Sequence, residues 1–180
     1  MNKGKIFEQQ FKKSVSKIPD IWFNRLNDGT SSWSRGSETR FQAPNDCDFE
    51  VFFGRVLFLL ELKNHKGSSL PYSAIRQNQI EKLNMKSKTP WVIPGFLVFF
   101  EDHGRCFFLN AETVYFHKIH GERKSIPISF FEEYGIEISC KKLKVNYNYD
   151  IKPLFEALVE ECESNDGNLR QTYCLQSGRI

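Results

Sequence analysis

Val56-Leu57-Phe58-Leu59-Leu60-Glu61-Leu62-Lys63 is an apolar strand that ends in two charges. Its near-continuous hydrophobicity describes a strand covered on both faces, where charge is unusual and must be compensated. Side chains alternate along a strand, so Glu61 and Lys63 project from one face and Leu62 from the other. Ahead of it, Asp48 to Phe53 has the pattern of a second strand. Gly54-Arg55 between them forms a two-residue hairpin loop, with glycine in the first central position that a type II′ turn requires. In that register Phe53 pairs with Val56, and counting back places Asp48 opposite Glu61. Directly opposed residues hold their Cβ atoms about 4.5–5.5 Å apart. Two carboxylates so close at the margin of an apolar sheet repel each other unless a cation lies between them. A sparse all-oxygen set suits Mg²⁺ or Mn²⁺ better than Zn²⁺, which prefers Cys and His. Lys63, beside Glu61, is placed to orient or deprotonate an attacking water, or to offset charge on a phosphorane-like transition state. Together the three residues point to phosphodiester hydrolysis.

Working outward, residues 4–18 have the spacing of an amphipathic helix, with Ile6, Phe7, Phe11, Val15 and Ile18 on one side, lysines on the other and Glu8 at the border. A strand starts at Ile21-Trp22-Phe23. The polar stretch from Asn27 to Asn45 is expected to be a long loop or short stalk, and long irregular segments in a compact domain are usually functional. In it and just ahead of it, Arg25, Arg35 and Arg40 are candidates for phosphates, and Trp33 for an unstacked base. Pro71 precedes a helix expected over about 72–85, on which Gln79 and Arg76 share the apolar stripe of Tyr72, Ile75, Ile80 and Leu83 and so should face the sheet. Phe96 to Phe100 and Cys106 to Leu109 form a second β pair. A short helix near Ala111, a strand near Leu143 to Val145 and a helix over about 150–162 follow. Residues 1–164 are expected to form one domain and 165–180 a loose tail. This order of elements implies a mixed α/β sandwich.

At 180 residues, 40% hydrophobic and 26% charged, the chain has the composition of one globular domain and not of a fibrous or disordered class. No apolar run exceeds five residues, and the N-terminus is polar and lysine-rich, so no membrane span or export signal is expected. Five cysteines, an odd number without a Cys-x-x-Cys pair, fit a reduced cytoplasmic protein. The net charge of +3 is unevenly spread: residues 1–88 hold 15 Lys plus Arg against 9 Asp plus Glu, which favours a polyanionic partner on that side. His117-x-x-His120 lacks a third ligand, and Lys141-Lys142-x-Lys144 has the look of a solvated face.

The order Gly4-Lys5-x-Phe7-Glu8, Asp48, Glu61-Leu62-Lys63, Leu70-Pro71 and Asn78-Gln79-Ile80 resembles the RecU-type Holliday junction resolvases of low-GC Gram-positive bacteria and their phages, a branch of the PD-(D/E)xK nuclease superfamily. Phe107-Phe108-Leu109-Asn110-Ala111 and Arg123-Lys124-Ser125-Ile126 extend the similarity over roughly residues 4–155. The resemblance implies a restriction-endonuclease-like α/β fold, a mixed central sheet flanked by helices. It also implies a dimeric, Mg²⁺-dependent endonuclease that cuts four-way DNA junctions, with Mn²⁺ able to substitute. Asp48, Glu61 and the Leu62 carbonyl would bind the metal, Lys63 would serve the water, and Glu8 and Gln79 would support the site. His65 and Arg76 join the candidates for contacting DNA. The chain departs from the family pattern at His65, where a hydroxyl residue is usual, at Asn78, where His is common, and in a short stalk segment. Two other readings stay open: a less selective nuclease acting on flaps, ends or duplex, and a noncatalytic DNA-binding accessory protein.

Overall fold

The computed structural model describes residues 3–26, 45–144 and 146–169. Helix α1 (Lys3–Val15) comes first, then strands β1 (Trp22–Arg25), β2 (Phe49–Phe53), β3 (Val56–His65) and β4 (Ser69–Pro71). A single 3₁₀ turn (Tyr72–Ala74) leads to α2 (Gln77–Lys86), β5 (Val92–Phe100), β6 (Arg105–Asn110), α3 (Ala111–His120), β7 (Ser125–Pro127) and α4 (Ile128–Tyr134). The chain closes with β8 (Ile136–Ile138), β9 (Cys140–Lys142), β10 (Tyr147–Tyr149) and α5 (Lys152–Ser164).

Six strands form one mixed sheet in the order β1-β2-β3-β5-β6-β8, in which β3 and β5 are parallel and the other neighbours antiparallel. A parallel pair needs a long crossover, and the segment carrying α2 supplies it. Alternation then divides the core. Phe58, Leu60 and Leu62 point into a cluster with Phe7 and Phe11 of α1 and Phe155 and Leu158 of α5. Leu59 points the other way, into a cluster with Ile80 and Leu83 of α2, Val114 of α3 and Phe131 of α4. Central strand β3 is therefore covered on both sides, as its apolar run requires. The expected hairpin holds: Phe53 pairs with Val56 and Phe49 with Leu60, and Gly54 at φ +60 with no positive φ at Arg55 is the type II′ arrangement.

Several elements depart from the sequence reading. Helix α1 stops at Val15, because Pro19 disfavours helical backbone at the residue before it, and Ile18 packs on the core from a turn. The helix expected from residue 72 is interrupted: Ile75 and Arg76 are extended, and α2 begins only at Gln77. Strand β5 starts at Val92 and runs through Pro94, one residue ahead of its first pair with β6, Gly95↔Asn110, where a ring without an N–H is tolerated. In place of a strand near Leu143 there is a hairpin, β9 paired with β10, closed by the Leu143 N–H donating to the Asn146 carbonyl at 2.7 Å. Of the expected tail, residues 165–169 are described: the Trp91 N–H donates to the Gly167 carbonyl at 2.7 Å. Residues 170–180 lie outside the described residues. Cys47, Cys106, Cys140 and Cys162 are free thiols. No helix among the described residues is long and apolar enough to cross a membrane.

Gly95 marks the tightest approach in the sheet. A Cβ there would lie 2.2 Å from Phe108 Cε2 and 2.5 Å from Cζ, and Phe108 is itself buried in the core. Gly95→Ala is therefore expected to destabilise the fold by about 1–3 kcal/mol, read as a lower denaturant midpoint with an unchanged m-value. An unaltered midpoint would show that Phe108 has room to move.

Candidate active site

The face of β3 turned toward α2 carries Leu59, then Glu61, Lys63 and His65, so the apolar run changes to charge where the strand passes the start of α2. Glu61 is 1% exposed. Its Oε1 accepts a hydrogen bond from Lys63 Nζ at 2.7 Å, whereas its buried Oε2 has no hydrogen-bond partner. Burial, and next the charge of Asp48, raise its pKa to about 7, with Lys63 and Arg76 acting against the rise. The carboxylate thus sits where charge is penalised and half its lone pairs are unused, which is costly unless another group takes them up.

Asp48 arrives by a slightly different route from the register count. The regular β2–β3 pairing ends at Phe49↔Leu60, and the Asp48 N–H bonds the Leu60 carbonyl at 3.0 Å. Its carboxylate then reaches along β3, Oδ2 accepting from the Leu62 N–H at 2.8 Å. Asp48 therefore flanks Glu61 through the backbone of Leu62, the residue expected to offer its carbonyl. Gln79 completes the group from α2. It is 3% exposed, donates through Nε2 to the Asp46 carbonyl at 3.1 Å, and leaves its buried Oε1 without a partner. Two orphaned buried oxygens, Glu61 Oε2 and Gln79 Oε1, are the signature of a site built for something the protein chain does not supply. Among the described residues no group of three or more His, Cys, Asp or Glu converges. A cation here would be held by two carboxylates with neutral oxygens, the sparse set that Mg²⁺ accepts while keeping waters.

The other candidates divide. Glu8 is paired with Arg25, Oε2 lying 2.6 Å from Nη2 and 2.7 Å from Nε. This pair adjoins the site through Leu26, whose N–H donates to the Asp48 carbonyl at 2.9 Å. His65 lies half-buried on the Glu61 face with its ring edge-on to Phe100. Arg76 corrects the expectation that it shares the buried stripe: the break before α2 leaves it exposed at the helix start, its field reaching Glu61. Trp33, Arg35 and Arg40 lie outside the described residues. His117 serves packing, its Nδ1 bonded with the Tyr72 hydroxyl and its ring against Phe130.

Asp46 was not anticipated. Each of its oxygens takes one lysine of α2, Lys82 at Oδ1 and Lys86 at Oδ2, both at 2.8 Å, while its carbonyl takes Gln79. The residue two before Asp48 is thereby bound to the helix that presents Gln79. An acid facing a lysine pair at i, i+4 is the signal that could have disclosed it.

A family described as Recombination protein U matches residues 2–152. The SPbeta prophage-derived protein YotM of Bacillus subtilis (strain 168) is 32% identical over 181 residues, covering 92% of this chain and 91% of that protein. Among solved structures, Hjc of Archaeoglobus fulgidus, a Holliday junction resolvase from an archaeal hyperthermophile, superposes with a TM-score of 0.50 at 18% identity. The match spans 74% of this chain and 95% of Hjc, a similarity of fold.

The raised pKa of Glu61 has a thermodynamic consequence in the absence of divalent ions. The folded chain keeps the Glu61 proton up to about pH 7, whereas an unfolded glutamic acid releases it near about 4.3. Between those values the unfolded state binds fewer protons, so stability falls as pH rises through the window and stays lower above it. Glu61→Gln removes this loss. Metal-free Glu61→Gln should exceed the wild type by about 3 kcal/mol at pH 8 and differ little near pH 4. Urea titrations at the two pH values measure it, and equal stabilities at pH 8 would contradict the buried-charge argument.

Proposed function

The chain belongs to the Recombination protein U family, and from that premise we propose that it is a Mg²⁺-dependent endonuclease that resolves four-way DNA junctions by paired nicks. In this proposal it works in the cytoplasm as a homodimer whose two-fold axis matches that of the junction. The observation that carries the proposal is Glu61. It is a carboxylate buried at 1% exposure, with one oxygen on Lys63 and the other unpartnered, beside Asp48.

Asp48, Glu61, the Leu62 carbonyl and Gln79 Oε1 are the oxygens that would hold the metal. When bound, a divalent ion supplies Lewis acidity at the scissile phosphate and makes water a stronger nucleophile at neutral pH. The chain's own residues do the rest. Lys63 keeps its ammonium at the rim, one-fifth exposed, where Nζ can donate to the attacking water or to a phosphate oxygen as negative charge builds. Arg76 and His65 stand beside it as phosphate contacts. The Glu8–Arg25 pair braces β1 against α1, and so fixes the strand end from which Leu26 holds Asp48. The described residues that border positions 27–44 lie at this site, Leu26 on Asp48 and the Asn45 carbonyl accepting from Arg76 at 3.5 Å, which supports Trp33, Arg35 and Arg40 as contacts to the same DNA.

A mobile synthetic four-way junction incubated with and without Mg²⁺, in competition with linear duplex of the same sequence, tests the proposal. Symmetric nicking that needs the ion and survives competition is expected. Cleavage that the linear duplex suppresses equally would leave a nuclease without junction selectivity. Asp48→Asn and Lys63→Ala should each slow cleavage by at least about 10²-fold while junction binding stays within about threefold of wild type. Undiminished cleavage by the purified double variant would refute these roles.

A further inference from the structure

Most described lysines that approach an acid are neutralised by it. Lys3 pairs with Glu101, Lys63 with Glu61, Lys82 and Lys86 with Asp46, Lys118 with Glu81 and Lys152 with Glu156. The β9–β10 hairpin behaves otherwise. Lys141, Lys142 and Lys144 are all exposed and none forms an ion pair among the described residues. Lys141 stands opposite Asn148, whose Oδ1 is already taken by Lys17 of the α1 end at 2.9 Å, so two ammonium groups share that face of the hairpin. Solvated cations repel, and folds normally disperse them.

The hairpin is fixed in place, which makes its charges a surface and not a loose tail. Gln10 of α1 donates to Asn146 at 3.1 Å, Ser14 Oγ accepts from the Tyr149 N–H at 3.1 Å, and the Tyr149 ring is buried against Phe7. Around α1 the charge continues. At about 100° per residue, Lys13 lies about 60° from Gln10, on the hairpin side, while Lys12 lies about 40° and Lys5 about 60° from Glu8. All three are exposed, and none forms an ion pair among the described residues. The strip therefore runs from the hairpin around α1 to the Glu8–Arg25 pair next to Asp48. Beside it, on the α1 face of the sheet, lies a cleft of about 270 Å³ with Lys142, the Lys3–Glu101 pair and Asn64 on its walls. The buried Asn64 Oδ1 there has no partner.

We propose that this strip, the β9–β10 hairpin with the outer face of α1, is the track along which a duplex arm of the substrate leaves the cleavage site, held by its phosphates. The inference rests on the DNA-cleaving role proposed above and assigns to that site a backbone-binding extension that carries no sequence preference. A run of exposed cations along one surface suits a polyanion of repeating charge.

The test is the salt dependence of binding, read by fluorescence anisotropy without divalent ions on junctions whose arms are long or cut short. The triple variant Lys141→Ala/Lys142→Ala/Lys144→Ala should bind the long-armed junction at least tenfold more weakly at 150 mM salt. Its slope of log K against log salt should be shallower by about 2–3, near 0.9 for each phosphate no longer neutralised. The deficit should vanish on short arms and be restored by the three arginine substitutions. Cleavage by saturating enzyme with Mg²⁺ should keep its single-turnover rate. An unchanged slope in a variant with wild-type melting temperature would overturn the track, as would an equal loss in the control Lys88→Ala/Lys124→Ala. Wild-type protein that binds with the expected slopes yet never cleaves would overturn the nuclease role and leave the track standing.

Discussion

A carboxylate withdrawn almost wholly from water is the constraint around which this chain is arranged. Glu61 lies in the sheet's central strand, packed on both faces, where an ionised group with an unpaired oxygen is expensive. Lys63 takes one oxygen, and Asp48, far from relieving the charge, adds a second negative group. An arrangement that raises the energy of its own resting state is stable only because the rest of the fold enforces it: the hairpin register fixes Asp48, α2 delivers Gln79, and two apolar clusters lock β3 between them. Strain of this kind concentrates at functional sites, where a ligand relieves it.

The two faces of the sheet divide the work. One is covered by α1 and α5 with a dense set of aromatic contacts, Phe11 against Phe49 and Phe58 against Phe155, and gives rigidity. The other, under α2, is apolar at Leu59 and Phe96 and polar at Glu61 and Gln79, and holds the buried polar oxygens. Because strand side chains alternate, one sequence run serves both: the even positions of β3 build the first face and the odd positions the second.

Much of this was legible because it is local. A two-residue loop with glycine in the right place sets the pairing of β2 with β3, and the pairing sets which charges meet, so the Asp48–Glu61–Lys63 group follows from a dozen residues. The failures have physical causes as well. The 72–85 pattern kept helical spacing through Ile75 and Arg76, but extended backbone there is favoured by contacts with a distant segment, the Tyr72 N–H bonding the Lys124 carbonyl. Strands β4 and β7, three residues each, exist only because they pair with one another across about a third of the chain. Periodicity over so short a run carries no signal. The Glu8–Arg25 pair was hidden for the same reason, since a salt bridge between remote elements leaves no mark in spacing.

The double lysine grip on Asp46 bears on how such a protein tolerates change. The backbone that returns from the 27–44 segment is fastened to α2 two residues before it reaches Asp48. The fastening holds the position of the carboxylate downstream of it independently of what lies upstream. The clamp thus ties the backbone leading into Asp48 to the same helix that carries Gln79, so that the two move as one unit.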